Sequence, residues 1–338
     1  MSTHRPHAGH QPPPPPHPTG RAAAETLPGM RGESPWTTRR LLAWMGEAFT
    51  AKGLDSPRLF AEILMSHVIG CERLKLYTDP DRPANADERT RLRDLVARAL
   101  KHEPVQYLVG EAWFFGLQFH IDSRVLIPRP ATEVIPETIL QRAQSTHGVG
   151  FDGGGLLILD VCTGSGCIAI ATLKKLKAAR AVATDINPDA ISLASENAAR
   201  HGVADRVEYV QGDMLVALHN HPIAGRESTF DYVASNPPYI PDDEWDAVAP
   251  NVKDHEPHSA LRGGSDGLDF VRQLLTPTPP TIPAPRLLKP GGMLLIEVAD
   301  SRAEIAREML AADPLLESPR VLKDHEGLPR VIVATRRE

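Results

Sequence analysis

Residues 156–170 read LLILDVCTGSGCIAI, and this stretch decides the fold. Leu156 to Val161 is a short apolar run of strand character, Gly164 and Gly166 break it, and Ile168 to Lys177 reads as a helix. Glycine lets the backbone turn tightly and approach a ligand without a Cβ clash. In open α/β sheets ligands bind at the carboxyl ends of strands, which is where such a loop lies. The next apolar run, Ala181 to Thr184, ends on Asp185, a carboxylate placed to accept both hydroxyls of a ribose.

Moving outward, Pro188 stands where the first turn of a helix through Arg200 would begin. Val207 to Val210, Tyr232 to Ala234 and Met293 to Val298 are further strand candidates. Alternating strands and helices imply an α/β fold, a parallel sheet covered on both faces. Val321 and the run from Arg330 to Ala334 are separated only by the turn at Glu326-Gly327, so they are expected to form an antiparallel pair at one edge.

The glycine loop alone leaves the nucleotide open, because Gly164-Ser165-Gly166-Cys167-Ile168-Ala169 also fits the dinucleotide fingerprint. Asp160, just before the loop, favours a cationic amino group such as that of S-adenosylmethionine and would repel a pyrophosphate. The second motif is Asn236-Pro237-Pro238-Tyr239, directly after the fourth strand of this region. Two consecutive prolines fix φ and remove two backbone donors. The acceptors left, the Asn236 side-chain oxygen and the Pro237 carbonyl, beside an aromatic ring suit a planar amide or an exocyclic amine, both of which present NH₂.

These motifs resemble those of class I S-adenosylmethionine-dependent methyltransferases that modify planar nitrogens, whose domain is a Rossmann-like seven-stranded sheet. Glu103 to Gly110 (EPVQYLVG), Ile127 to Glu133 (IPRPATE) and Gly263 to Leu268 (GGSDGL) are similar to motifs of the protein-glutamine methyltransferases of peptide chain release factors, the HemK type. The resemblance covers roughly residues 37 to 338. It implies methylation of the glutamine in the Gly-Gly-Gln tip of class-1 release factors, with S-adenosyl-L-methionine as donor. The cofactor residues it implies are Asp160, Cys162, Thr163, Gly164, Ser165, Gly166, Asp185, Met214 and Asn236. Asn236, Pro237 and Tyr239 are the expected catalytic set; Pro238, Phe114, Arg129 and Glu133 join them around the substrate.

Two features depart from the family pattern. Cys162 stands where glycine is usual and, with Ala112-Trp113-Phe114, is similar to the sister enzymes that methylate a glutamine of a large-subunit ribosomal protein. Residues 277–285 hold five prolines where the family has a helix, and an irregular surface loop without effect on the chemistry is expected. Methylation of an adenine amine in nucleic acid uses the same acceptor logic, but would need a basic groove and a flipped base. The formal charge of −6 argues against it.

The remaining sequence is quieter. At 338 residues the chain is long enough for two domains. Residues 1–35 contain nine prolines and read as a disordered tail, whose four histidines bind metal only adventitiously. Residues 36–103 read as a helical bundle, since Leu41, Met45 and Phe49, then Leu59, Ile63 and Leu64, then Leu92, Leu95 and Val96 recur at helical spacing; the resemblance implies that it binds the substrate. Residues 104–130 read as a β-hairpin linker and 131–338 as the methyltransferase domain. Three cysteines without a CxxC pair exclude a disulfide framework or structural zinc. No metal is expected: Asp242-Asp243-Glu244 and Asp254-His255-Glu256 read as solvated or substrate-facing. The opening residues lack an apolar signal core, and no run is long enough to span a membrane. A cytoplasmic monomer without stable nucleic-acid binding is expected.

Overall fold

The computed structural model describes residues 35–223 and 225–338, so most of the expected tail lies outside the described residues. The N-terminal helices are α1 (Thr38–Ala51), α2 (Pro57–Ile69), the short α3 (Lys75–Thr78), α4 (Ala86–Ala99) and α5 (Val105–Val109). Leu41, Met45 and Phe49 of α1 meet Leu64 and Met65 of α2 and Leu92 and Val96 of α4 in one buried cluster. A reciprocal capping box starts α4: the Asn85 side chain accepts from Glu88 N at 2.9 Å while the Glu88 carboxylate accepts from Asn85 N at 2.9 Å.

Residues 104–130 are less sheet-like than their composition suggests. Val105–Val109 is the helix α5, and the hairpin is confined to β1 (Glu111–Phe114) and β2 (Leu117–His120). The apolar side of α5, Val105 and Leu108, is claimed by the helical bundle, so packing overrides β propensity there.

After α6 (Val134–His147) the chain alternates through β3 (Leu157–Val161), α7 (Cys167–Lys175), β4 (Arg180–Asp185), α8 (Pro188–Arg200), β5 (Val207–Gln211) and β6 (Phe230–Ser235). Three short helices follow, α9 (Pro250–Lys253), α10 (Asp269–Leu275) and α11 (Ala284–Leu287), and then β7 (Leu288–Glu297), α12 (Ala303–Ala312), β8 (Leu316–Lys323) and β9 (Pro329–Arg336). The seven-stranded sheet runs β5-β4-β3-β6-β7-β9-β8. It is parallel from β5 to β7, while β9 pairs antiparallel with both β7 and β8 as the short turn required. Of the stretch 277–285 expected to be an irregular surface loop, residues 277–283 are irregular, but Ala284 and Pro285 open α11 and are buried, since proline is compatible with the first turn of a helix. Among the described residues no helix is long and apolar enough to cross a membrane.

Register positions everything that follows. Val161 lies opposite both Thr184 and Ser235, and Ser235 opposite Ile296. The next residues, Asp185, Cys162, Asn236 and Glu297, therefore stand in one row across four adjacent strand ends, at the point where strand order reverses.

Candidate active site

A cavity of about 520 Å³ opens at that row. Its floor is the glycine loop, Cys162 to Ser165; Asp185 and Asn187 form one wall, Asp213 and Met214 another, and Asn236 and Pro238 a third. Ile168, Ile186, Leu126 and Phe270 supply apolar surface. Such a size and mixture suit a nucleoside-sized ligand.

The glycine loop is held from two sides. Gly164 N donates to Asp185 Oδ2 and Asn187 N to Asp185 Oδ1, both at 2.9 Å. Buried Asn197 of α8 donates to Ser165 O at 3.1 Å and to His120 O at 3.0 Å, and accepts from His120 N at 2.8 Å, which clamps hairpin and loop together. Gly166 has φ +81°, and a Cβ there would lie 2.9 Å from Ile170 Cδ1. This glycine serves close packing where α7 begins against Ala194 of α8 rather than ligand approach, and it does not line the cavity. Cys162 adopts φ 61°, the left-handed conformation that explains why glycine suits this position. Its Sγ lies 3.3 Å from Met214 Sδ, so both residues reach the cavity wall together.

Asp160 does not reach the cavity. It is fully buried beneath the loop, where Oδ2 accepts from Thr163 Oγ1 at 2.7 Å and from Ala169 N at 3.2 Å, and Oδ1 has no partner among the described residues. The carboxylate thus occupies the first turn of α7, the place where a dinucleotide would need a free N–H and its pyrophosphate. The cavity wall itself carries Asp185 and Asp213, whereas its arginines are already paired, Arg124 with Asp122 and Glu196, Arg262 with Asp242. The unpaired charge is negative and fits a sulfonium or ammonium group, not a pyrophosphate.

Burial pushes the Asp160 carboxyl up to about 7, against the lowering bonds from Thr163 and Ala169. The folded state then holds this proton more tightly than the unfolded chain, so the group stabilises the fold at low pH and that contribution is lost as pH rises through about 7. From pH 8 to pH 5 the wild-type protein should gain about 2–3 kcal/mol relative to Asp160→Asn. Urea unfolding of both proteins at the two pH values checks this; parallel changes would contradict it.

The Asn-Pro-Pro-Tyr corner is braced from behind. Ile240 N donates to Leu261 O at 2.9 Å, Gly263 N to Ile240 O at 2.8 Å, and Asp242 N to Gly264 O at 2.9 Å. A Cβ on Gly263 would fall 2.6 Å from Tyr239 Cα, and one on Gly267, at φ +77°, 2.4 Å from Tyr239 O. The Gly263 to Leu268 motif is therefore a backbone cradle for the corner.

At the corner itself, Asn236 Nδ2 donates to Thr132 Oγ1 at 3.1 Å. Its Oδ1 is buried and has no partner among the described residues. Pro238 lines the main cavity, whereas Pro237 is buried off its wall. Tyr239 turns to the other side of the corner, with its hydroxyl donating to Glu297 Oε1 at 3.3 Å. There it borders a second cavity of about 250 Å³, with Arg129, Glu297 and Arg330.

Of three expected substrate contacts, Phe114 and Glu133 are engaged within the fold and Arg129 borders the other cavity. Phe114 is buried in the core, edge-on to Phe119 at 6.2 Å, because strand alternation turns it inward and exposes Trp113 instead. Glu133 accepts from Phe115 N at 2.6 Å and so ties down the hairpin turn. Arg129 borders the smaller cavity rather than the larger, and its guanidinium pairs with Glu256 Oε1 at 2.6 Å. Glu256 is correspondingly not solvated: it is buried and also accepts from Ile127 N at 3.2 Å, which draws the loop after Tyr239 onto residues 127–129.

Sequence reasoning reached Thr132 only as a member of the Ile127 to Glu133 motif, without a role of its own in the site, and missed Leu126, Asp213 and Glu297. Asp213 carried a usable signal, since it follows β5 much as Asp185 ends β4; Leu126 and Glu297 carried none outside the fold.

Residues 40–110 match the family model described as the PrmC N-terminal domain, and residues 158–255 match a methyltransferase domain. The release factor glutamine methyltransferase of Chlorobaculum tepidum is 39% identical over 302 residues, covering 89% of this chain and 98% of that protein. The release factor glutamine methyltransferase of Geobacter sulfurreducens is 40% identical over 297 residues, covering 88% and 96%. Among solved structures, a methyltransferase from Pyrococcus furiosus aligns with a TM-score of 0.43 at 19% identity, over 75% of this chain and 100% of that one.

Proposed function

We infer the reaction from one premise: the chain belongs to the release factor glutamine methyltransferase family. It is an S-adenosyl-L-methionine-dependent protein-glutamine methyltransferase, and its substrate is a peptide chain release factor. Within that activity, the target is the glutamine of the Gly-Gly-Gln tip, presented as a side-chain amide to Asn236. The observation that carries this reading is the buried, unpartnered Asn236 Oδ1 at the cavity edge.

A carboxamide nitrogen is a poor nucleophile because its lone pair is delocalised into the carbonyl. The bound donor supplies a sulfonium methyl, which leaves its sulfur as a neutral thioether when a nitrogen lone pair takes it. Asn236 Oδ1 and the Pro237 carbonyl accept the two N–H groups and turn the lone pair toward the cavity. Orientation at ~3–3.5 Å can supply several kcal/mol. The same acceptors stabilise positive charge as it develops on nitrogen, and one N–H proton then leaves to water. Asp185 takes the ribose hydroxyls, while Cys162, Met214, Ile168 and Ile186 line the donor's apolar contacts. Arg129 and Tyr239, on the far side of the corner, face the arriving tip. The bundle of α1 to α5 serves as the substrate-docking domain, and the working unit is a cytoplasmic monomer that holds no nucleic acid.

The test is to incubate the protein with labelled S-adenosyl-L-methionine and, in parallel, a release factor, its tip Gln→Glu variant, a large-subunit ribosomal protein and an adenine-containing oligonucleotide. Label is expected only on the unaltered release factor. Label on the ribosomal protein or the oligonucleotide instead would overturn the substrate assignment.

A further inference from the structure

Two residues of the smaller cavity, on the far side of the corner, each carry a buried polar atom without a hydrogen-bond partner among the described residues. One is Glu297 Oε2, an acceptor; the other is Arg330 Nε, a donor. Both side chains line the cavity, with Tyr239 and Arg129 beside them. Strand pairing brings the two together: Glu297 ends β7 opposite Val331 of β9, and Val298 N donates to Arg330 O at 2.9 Å.

Their other contacts leave these atoms over. Glu297 is fully buried, and its second oxygen, Oε1, accepts from the Tyr239 hydroxyl at 3.3 Å. Arg330 faces Asp300 through Nη1 at 3.7 Å and Asp324 through Nε at 3.8 Å, ion pairs too long to be hydrogen bonds. A buried carboxylate oxygen and a buried N–H without partners are each costly. Burial pushes the Glu297 carboxyl up to about 7, and an N–H brought to Oε2 favours its ionised form.

Charge and size narrow the guest. Arg129 is committed to Glu256 at 2.6 Å and Arg330 to its two aspartates, so neither guanidinium is left for an anion. What the cavity lacks is one donor and one acceptor in a neutral group. A single residue of peptide main chain offers both, and in an extended chain its N–H and C=O project to the same side. The cavity is about 250 Å³ and meets the donor cavity at the corner, where Pro238 lines the one and Tyr239 the other. A chain whose side-chain amide enters at Asn236 leaves its backbone on one side of that corner. Glycine there, with no Cβ, lets the backbone come close.

We propose that this cavity is the main-chain subsite for the substrate, in which Glu297 Oε2 accepts the N–H of the glycine before the target glutamine and Arg330 Nε donates to the same glycine's carbonyl. This subsite rests on the tip glutamine as target, as inferred above, and adds two substrate-binding residues to it.

Full-length wild type, Glu297→Gln and Arg330→Lys are assayed with an unaltered release factor and with one in which glycolate replaces that glycine, so that an ester oxygen stands in place of its N–H. With wild type the ester should raise KM about 10–10²-fold, while kcat at saturation and the calorimetric Kd for S-adenosyl-L-methionine stay within about threefold. Arg330→Lys keeps the charge and loses the Nε donor, so KM for the unaltered substrate should rise about tenfold with the donor Kd unchanged. In Glu297→Gln the ester penalty should shrink below about threefold, because no carboxylate is left to receive the N–H. Equal KM for the two substrates with wild type would mean that the two atoms hold water only, and would overturn the proposal. So would an ester penalty of full size in Glu297→Gln, or a loss in Arg330→Lys that falls on kcat or on donor binding instead of KM. Absence of label on the unaltered release factor would instead overturn the tip glutamine as target, and this subsite with it.

Discussion

Asn236→Ala should lose roughly 10²–10³ in kcat while binding S-adenosyl-L-methionine as wild type does. The magnitude follows from where the side chain sits. Its Nδ2 is committed to Thr132, so truncation does not free a group that could substitute for the lost acceptor. Its Oδ1 is buried, so water does not readily replace it before the substrate arrives. An acceptor held rigidly next to developing charge needs no reorganisation during reaction, and that is the source of the large factor. The cofactor cavity keeps its other walls, Asp185, Asp213 and the glycine loop. Single-turnover methylation of a release factor, together with calorimetric titration of the donor, separates the two quantities. Near wild-type turnover in this variant would refute the positioning mechanism.

Asp185→Ala has the opposite signature: donor binding should weaken by roughly 10²–10³-fold, the loss of one or two charge-assisted hydrogen bonds worth about 1.5–3 kcal/mol each. Each carboxylate oxygen accepts one backbone N–H, from Gly164 and from Asn187, and each retains a lone pair toward the cavity. Burial pushes the Asp185 carboxyl above its ordinary range, opposed by the backbone N–H groups of Asn187, Gly164 and Ile186. Removing the carboxylate also takes away one of the two ties of the glycine loop to β4, leaving Thr163 N to Thr184 O at 2.9 Å. Saturating donor should restore much of kcat, since the corner at Asn236 is untouched. Unchanged calorimetric affinity would take Asp185 out of the ribose role.

Strand alternation and register explain where sequence reasoning succeeded. The runs at Leu156, Ala181 and Tyr232 are largely apolar, as strands buried on both faces must be, while the Val207 run (VEYVQ) is half-exposed at the sheet edge; the structure places a parallel strand at each. The antiparallel edge followed from a connection too short for a crossover. The same reasoning failed at Val105–Val109, where a helix packs on the bundle, and at Phe114, where alternation turns the aromatic ring into the core. Composition identified an aromatic, β-prone segment correctly but could not tell which of its faces would meet the cavity.

By itself the sequence determined the α/β alternation, the glycine loop, the strand-end carboxylate Asp185 and the acceptor corner at Asn236, because each is written in contiguous residues whose local stereochemistry leaves few options. Only the tertiary structure decided which residues complete the corner. Thr132 and Glu297 come from segments on either side of the corner in the chain, and they meet Asn236 and Tyr239 respectively only because the register of β6 against β7 and the docking of the Pro130–Glu133 turn bring them to the same strand ends. Partners as far apart in the chain as Thr132 and Asn236 are chosen by packing rather than by any local pattern.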